Sequence, residues 1–182
     1  RFFSGALSVT VLAGAVLMAW GIADTRDIVL FLGANEAIAD IAHEYAGVLL
    51  WFLIPLMIYG MMLFFVRYDS DPNLVVMATL TCGGVNIALD LLFVGQFHWG
   101  PKGAALATCL AYTAGMLVEL SHFLKKKNTL RFSLSSCTPR RVWRSLKAGF
   151  PLSIAQFGMA LATAVFNIVI IKAGGEDEVA IY

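Results

Sequence analysis

The stretch NLVVMATLTCGGVNIALDLLFVGQF, residues 73–97, decides the fold. Its apolar run is long enough for a helix to cross the roughly 30 Å of membrane hydrocarbon, which takes about 20 residues. Yet Asn86 and Asp90 sit inside it, four residues apart and therefore on one helical face. Four further stretches reach the same length: Phe3 to Ala23, Glu44 to Val66, Gly103 to Leu124 and Gly149 to Lys172. The composition agrees, with 59% hydrophobic residues and 14% charged ones and a mean hydropathy of +0.79. A soluble domain carries a far more even mix. We therefore expect an all-α, polytopic transmembrane helix bundle with about five spans.

Arg1-Phe2-Phe3 runs straight into the first span, with no methionine, charged leader or small-residue cleavage site. That pattern is not a signal peptide, and we expect an internal segment of a longer polypeptide whose remaining helices are partners of these five. The acidic turn Gly174-Gly175-Glu176-Asp177 and the closing Val179-Ala180-Ile181-Tyr182 read the same way.

Charge is distributed unevenly although the net charge is only +1. Of the 13 Lys and Arg, 10 fall on one set of alternating loops: Arg1, Arg67, Lys125, Lys126, Lys127, Arg131, Arg140, Arg141, Arg144 and Lys147. The other set holds Arg26, Lys102 and Lys172 with most of the acids. The positive-inside rule makes the first set cytoplasmic, so the first, third and fifth spans run outward. Beside membrane spans, the basic loop reads as a topology signal rather than a nucleic-acid patch.

Between the first two spans, Ile28-Val29-Leu30-Phe31-Leu32 is too short to cross and suits a bent connector at the outer interface. Pro55 removes a backbone hydrogen bond and should kink the second span. Arg67-Tyr68-Asp69-Ser70-Asp71-Pro72 forces a tight cytoplasmic hairpin. In the long loop, Thr138 and Pro139 suit the cap and first position of a short surface helix, with Val142, Trp143 and Leu146 toward lipid and the basic residues toward headgroups. Three parts follow: residues 1–124 with four spans, a basic cytoplasmic loop over 125–148, and a fifth span in 149–182.

An ionised Asp90 near mid-membrane costs about 2.5–3.5 kcal/mol or more on insertion scales, so it needs a cavity or a partner. Counting from a turn at Gly100, Asp90 and Thr108 lie at similar depths, about 12–15 Å below it, and can meet across the hairpin. Two readings stay open: a functional acid, or a hydrogen-bonded staple worth about 0.6–2 kcal/mol. Polar or small stripes continue as Thr108, Tyr112, Gly115 and Glu119 on the fourth span, and as Gln156, Ala160, Thr163 and Asn167 on the fifth. Tyr112, Gln156, Thr163 and Asn167 are candidate cavity-lining residues. Glu119, close to Lys125, is expected to snorkel at the cytoplasmic interface. Gly103, Ala104 and Ala107 allow close helix packing.

Cys82, Cys109 and Cys137 have no CxxC or CxxH spacing, and His43, His98 and His122 have no metal-binding spacing. GxSxG, GxGD, GxxxxGK[ST] and CxxCH are missing from the sequence. Neither an enzyme nor a metal or cofactor site is expected.

Three segments together resemble the amino-terminal lobe of the multidrug and toxic compound extrusion (MATE) family: Phe65-Val66-Arg67-Tyr68-Asp69-Ser70-Asp71-Pro72, Asn86-Ile87-Ala88-Leu89-Asp90, and Gly100-Pro101-Lys102-Gly103-Ala104-Ala105-Leu106-Ala107-Thr108. Gly149-Phe150-Pro151 and Asn167 ahead of Gly174-Gly175 are similar too, so the likeness covers nearly the whole chain. The resemblance implies a twelve-helix, two-lobe transporter of which this chain holds helices three to seven. It implies a proton- or sodium-coupled antiporter exporting cationic or amphipathic compounds, in a bacterial or archaeal cytoplasmic membrane. It also implies that Asn86, Asp90 and Thr108 belong to a protonation network. Ser70 departs from the family's common glycine, and Leu91 from a frequent proline after the aspartate, which leaves a bend at Asp90 in doubt. The alternatives are a flippase of lipid-linked saccharides with the same architecture and a scaffold subunit whose polar residues only pack helices. Membrane lipid, a small-molecule substrate and a coupling ion are the expected partners, and nucleic acid is not.

Overall fold

The structure is a computed structural model that describes residues 2–31, 39–126, 128–130 and 139–174. Every element in it is helical, in the order α1 (Phe2–Ala23), α2 (Thr25–Phe31), α3 (Ala39–Trp51), α4 (Leu53–Tyr68), α5 (Pro72–Asp90), a π-helical turn (Leu91–Gln96), α6 (Gly100–Leu120), a 3₁₀ turn (Ser121–Leu124) and α7 (Pro139–Gly174). Among the described residues, α1, α5 with its π turn, and α6 with its 3₁₀ turn are each long and apolar enough to cross a membrane. The pair α3 and α4 passes the same test together, bent by 63°. The expected polytopic helical bundle is therefore what the chain forms.

That bend has a visible cause. Pro55 has no N–H to give to the carbonyl of Trp51, and the helix breaks at Phe52, one residue beyond that carbonyl. Leu56 N–H bonds Phe52 O at 3.1 Å and resumes the ladder. The connector expected after α1 becomes the short helix α2, whose Thr25 hydroxyl donates to the Gly21 carbonyl at 2.5 Å.

Two compact units divide the chain, Arg1–Cys137 and Thr138–Tyr182. In the first, α6 is the inner helix and packs against α3, α4 and α5, while α1 packs mainly on α4. Small residues make this possible: Gly103, Ala105, Ala107, Cys109, Ala111 and Gly115 are all buried along α6. A Cβ on Gly103 would lie 2.9 Å from Trp99 Cβ, and one on Gly115 would lie 2.7 Å from Tyr59 Cε2. At the end where α1 begins and α4 stops, Phe3, Met62, Val66, Leu74 and Val75 form an apolar cluster, with the Phe3 ring edge-on to Phe65 at 5.3 Å. Leu12, Val16, Leu80, Ile87 and Leu117 point outward, as in a helix whose solvent is lipid or other helices.

The second unit is α7. The surface helix expected over 139–147 and the span expected from Gly149 form one continuous helix, opened by Pro139 as expected. Pro151 lies inside it without ending it, and Ser153 Oγ donates to the Gly149 carbonyl at 3.1 Å. This is a serine back-bond one turn along its own helix. With 36 residues α7 reaches about 54 Å, more than the thickness of membrane hydrocarbon. Cys137, Thr138, Arg131 and the acidic turn 175–178 lie outside the described residues.

Candidate functional site

The hairpin of α5 and α6 positions the polar residues picked out from sequence. Asn86 Nδ2 donates to Thr108 Oγ1 at 3.4 Å, a contact between helices inside the bundle. Asp90 is half-buried, and its Oδ1 is buried without a hydrogen-bond partner among the described residues. The contact to Thr108 is thus made by Asn86, one turn deeper than the aspartate expected to make it.

Two local features explain the shift. The turn centres on His98, which takes a left-handed φ of 55°, and Gly100 is already the first residue of α6. The π turn also holds more residues per turn than an α-helix, so Asn86 is carried less far from the hairpin tip. Phe97 N–H bonding Leu92 O at 2.9 Å is the wide-turn bond that closes it. No proline follows Asp90, and the helix widens at Leu91 instead. Wide turns of this kind are frequent beside functional residues because they turn side chains out of register.

Tyr112 lies one turn past Thr108 and packs edge-on against Tyr59 of α4, ring centres 5.3 Å apart. Gln156 and Thr163 are exposed on α7, where Thr163 Oγ1 donates to Met159 O at 3.1 Å. The Asn167 side chain lies outside the described residues.

Glu119 corrects the sequence reading. It does not snorkel: its relative exposure is 0%, and neither carboxylate oxygen has a hydrogen-bond partner among the described residues. Proximity to Lys125 in sequence suggested an interfacial acid, but Glu119 falls on the face of α6 that carries Gly115, against Tyr59 and Cys82. Lys125 instead donates to Asp71 Oδ2 at 2.7 Å.

That lysine belongs to a polar cluster that single-sequence reading missed. His122, fully buried, places Nε2 2.7 Å from Asp69 Oδ2 and Nδ1 3.1 Å from Asp71 Oδ2. Thr129 donates its N–H to Asp69 Oδ2 at 2.9 Å and its hydroxyl to Asp69 Oδ1. Burial pushes the Asp69 carboxyl up, but the bonds from His122 and then from Thr129 outweigh it and hold it below the usual carboxylate value. The cluster ties the α4–α5 hairpin to the end of α6. The available hint was weak: two acids at one hairpin and a His and Lys three residues apart at the next basic loop.

Compared with known proteins, the chain matches the MatE family model over residues 2–92, half its length. The chain belongs to the MatE family. MatE relatives include the probable multidrug resistance protein YoeA of Bacillus subtilis, 28% identical over 168 residues, which are 86% of this chain and 36% of YoeA. The multidrug export protein MepA of Staphylococcus saprophyticus is 24% identical over 160 residues, 87% of this chain and 36% of MepA. The chain thus spans little more than a third of the length of these relatives. Among solved MatE-type structures, an inward-facing multidrug resistance MATE transporter of the MOP superfamily superposes with a TM-score of 0.85 at 28% identity, over 98% of this chain and 41% of its own. The resemblance read from the hairpin and helix motifs is borne out, and the chain is an integral membrane segment of a transporter family.

Proposed function

We propose that this chain is part of a secondary active antiporter that exports cationic or amphipathic compounds in exchange for protons or sodium. The observation that carries this reading is Asp90, with a buried, unpartnered Oδ1, on the helix whose Asn86 bonds Thr108 of the facing helix. A carboxylate so placed is costly when charged, and uptake of a cation removes the cost. Asn86 and Thr108 hold the α5–α6 pair beside it. Neutral and charged Asp90 then favour different packings of the helices, the two-state element that exchange with a substrate requires. The names carried by YoeA and MepA support drug-like substrates.

The test is dye efflux from cells carrying the complete gene product, with the proton and sodium gradients collapsed separately. Asp90→Asn should reach the membrane in normal amount and lose ion-driven efflux, with a milder loss in Thr108→Ala. Wild-type efflux with unchanged ion dependence in Asp90→Asn would show that this face is only a staple. Orientation is tested by thiol labelling of intact cells, where a cysteine at Lys102 should react from outside and Cys137 should not.

A further inference from the structure

Among the described residues, one buried acid has no part in the proposed exchange at Asp90 and no side chain that satisfies it. Glu119 lies eleven residues beyond Thr108 on α6, about 16 Å along the helix axis, in the opposite half of the bundle. Its side chain is fully buried, and both oxygens are shielded from solvent without a hydrogen bond. The groups that face it are Tyr59 from α4 and Cys82 from α5, an uncharged phenol and an uncharged thiol. In the 3₁₀ turn that follows, the nearest titratable group along the chain is His122, which is held by Asp69 and Asp71. Gly115, one turn earlier, lets Tyr59 and Cys82 close on this face. No ion pair among the described residues includes Glu119.

An ionised carboxylate in this position would be a buried, uncompensated charge, which costs several kcal/mol or more. Packing alone does not call for such a group, since a glutamine or leucine fills the space without the charge. A metal cation is a poor occupant, because a hard ion needs several oxygen ligands to replace its water. Tyr59 offers one hydroxyl and Cys82 none. A proton needs only the carboxyl itself.

We propose that Glu119 is a second proton-binding site of this bundle, in the half of α6 remote from Asp90. One proton passes from water to a carboxylate oxygen when the site fills and returns to water when it empties. The filled, neutral form fits the buried position beside Tyr59 and Cys82, and the charged form requires that packing to open and admit water. This deepens the antiporter reading and rests on it only for its consequence in transport.

The experiment is infrared difference spectroscopy of the complete gene product in lipid nanodiscs, titrated from acid to alkaline pH in H₂O and in D₂O. A protonated-carboxyl band, shifted in D₂O, should be present in wild type and in Asp90→Asn, absent in Glu119→Gln, and restored at a shifted position in Glu119→Asp. Spectra of wild type and Glu119→Gln that superimpose at every pH would overturn the proposal. Glu119→Gln is isosteric and uncharged, and an unfolding midpoint measured alongside identifies a misfolded sample; Glu119→Asp then carries the test, and a wild-type spectrum identical to its own would also overturn the site. In efflux, Glu119→Gln should change the response to external and internal pH by at least about fivefold. Wild-type efflux that ignores both ion gradients would defeat the antiporter reading and leave the infrared result standing.

Discussion

The Nε2 atom of His122 lies 2.7 Å from Oδ2 of Asp69, across 53 residues of sequence, with the imidazole fully buried and the aspartate side chain 7% exposed. The other ring nitrogen meets Asp71 at 3.1 Å. Carboxylates only accept, so both contacts are hydrogen bonds when both ring nitrogens carry hydrogen. Asp69, Asp71, His122 and Lys125 form one compact group, and the end of α6 is fastened to the α4–α5 hairpin.

Removing the imidazole leaves two buried carboxylates short of a donor. His122→Ala should destabilise the complete gene product by about 3 kcal/mol, the scale on which breaking one side of a buried ion pair acts. His122→Gln, which keeps one donor, should lose less. Thermal unfolding in detergent checks this, and equal midpoints for wild type and His122→Ala would show that the cluster holds nothing together.

The same bonds set a direction with pH. Asp69 binds protons more weakly in the folded protein than its ordinary value of 3.8, so its contribution is fully present above that value. It is lost as pH falls through the lower folded value. Unfolding midpoints should therefore drop on the acid side in wild type and fall less steeply in Asp69→Asn, which starts from a lower plateau. A steeper acid fall in Asp69→Asn than in wild type would contradict the assignment.

Ser70 occupies the left-handed region at φ 66° in the turn between Asp69 and Asp71. A non-glycine residue there stores strain of the order of 1 kcal/mol. Ser70→Gly should raise stability by about that amount, and Ser70→Val should lower it, both read as unfolding midpoints. No gain in Ser70→Gly would mean that the serine hydroxyl offsets the strain.

Gly115 and Gly83 form a matched pair for testing helix packing. A methyl at Gly115 would sit 2.7 Å from Tyr59 Cε2 and 3.3 Å from the Ala78 carbonyl, whereas a methyl at Gly83 meets nothing within 4 Å. Gly115→Ala should cost about 1–3 kcal/mol through overpacking, and Gly83→Ala should be neutral or stabilising by up to about 1 kcal/mol. Similar midpoints for the two variants would contradict the close approach of α4 and α5 to α6.

What the sequence determined by itself is what depends on one segment at a time. Apolar length is a local property, so residues 73–97 and their fellow spans declared a membrane bundle without any contact being known. Pro55 announced the break between α3 and α4 because a missing N–H acts on its own helix. Asn86, Asp90 and Thr108 were legible as polar intrusions, and the order of the hairpin motifs was enough for the family. The tertiary structure alone decided how the segments are rotated and shifted against one another. Asn86 rather than Asp90 meets Thr108 because the π turn and a left-handed His98 alter the register. Glu119 is buried because its face of α6 turns toward Tyr59 and Cys82, and His122 finds Asp69 and Asp71 through a hairpin more than fifty residues away. Helical periodicity puts residues on a common face, but which neighbour that face meets follows from packing between distant segments.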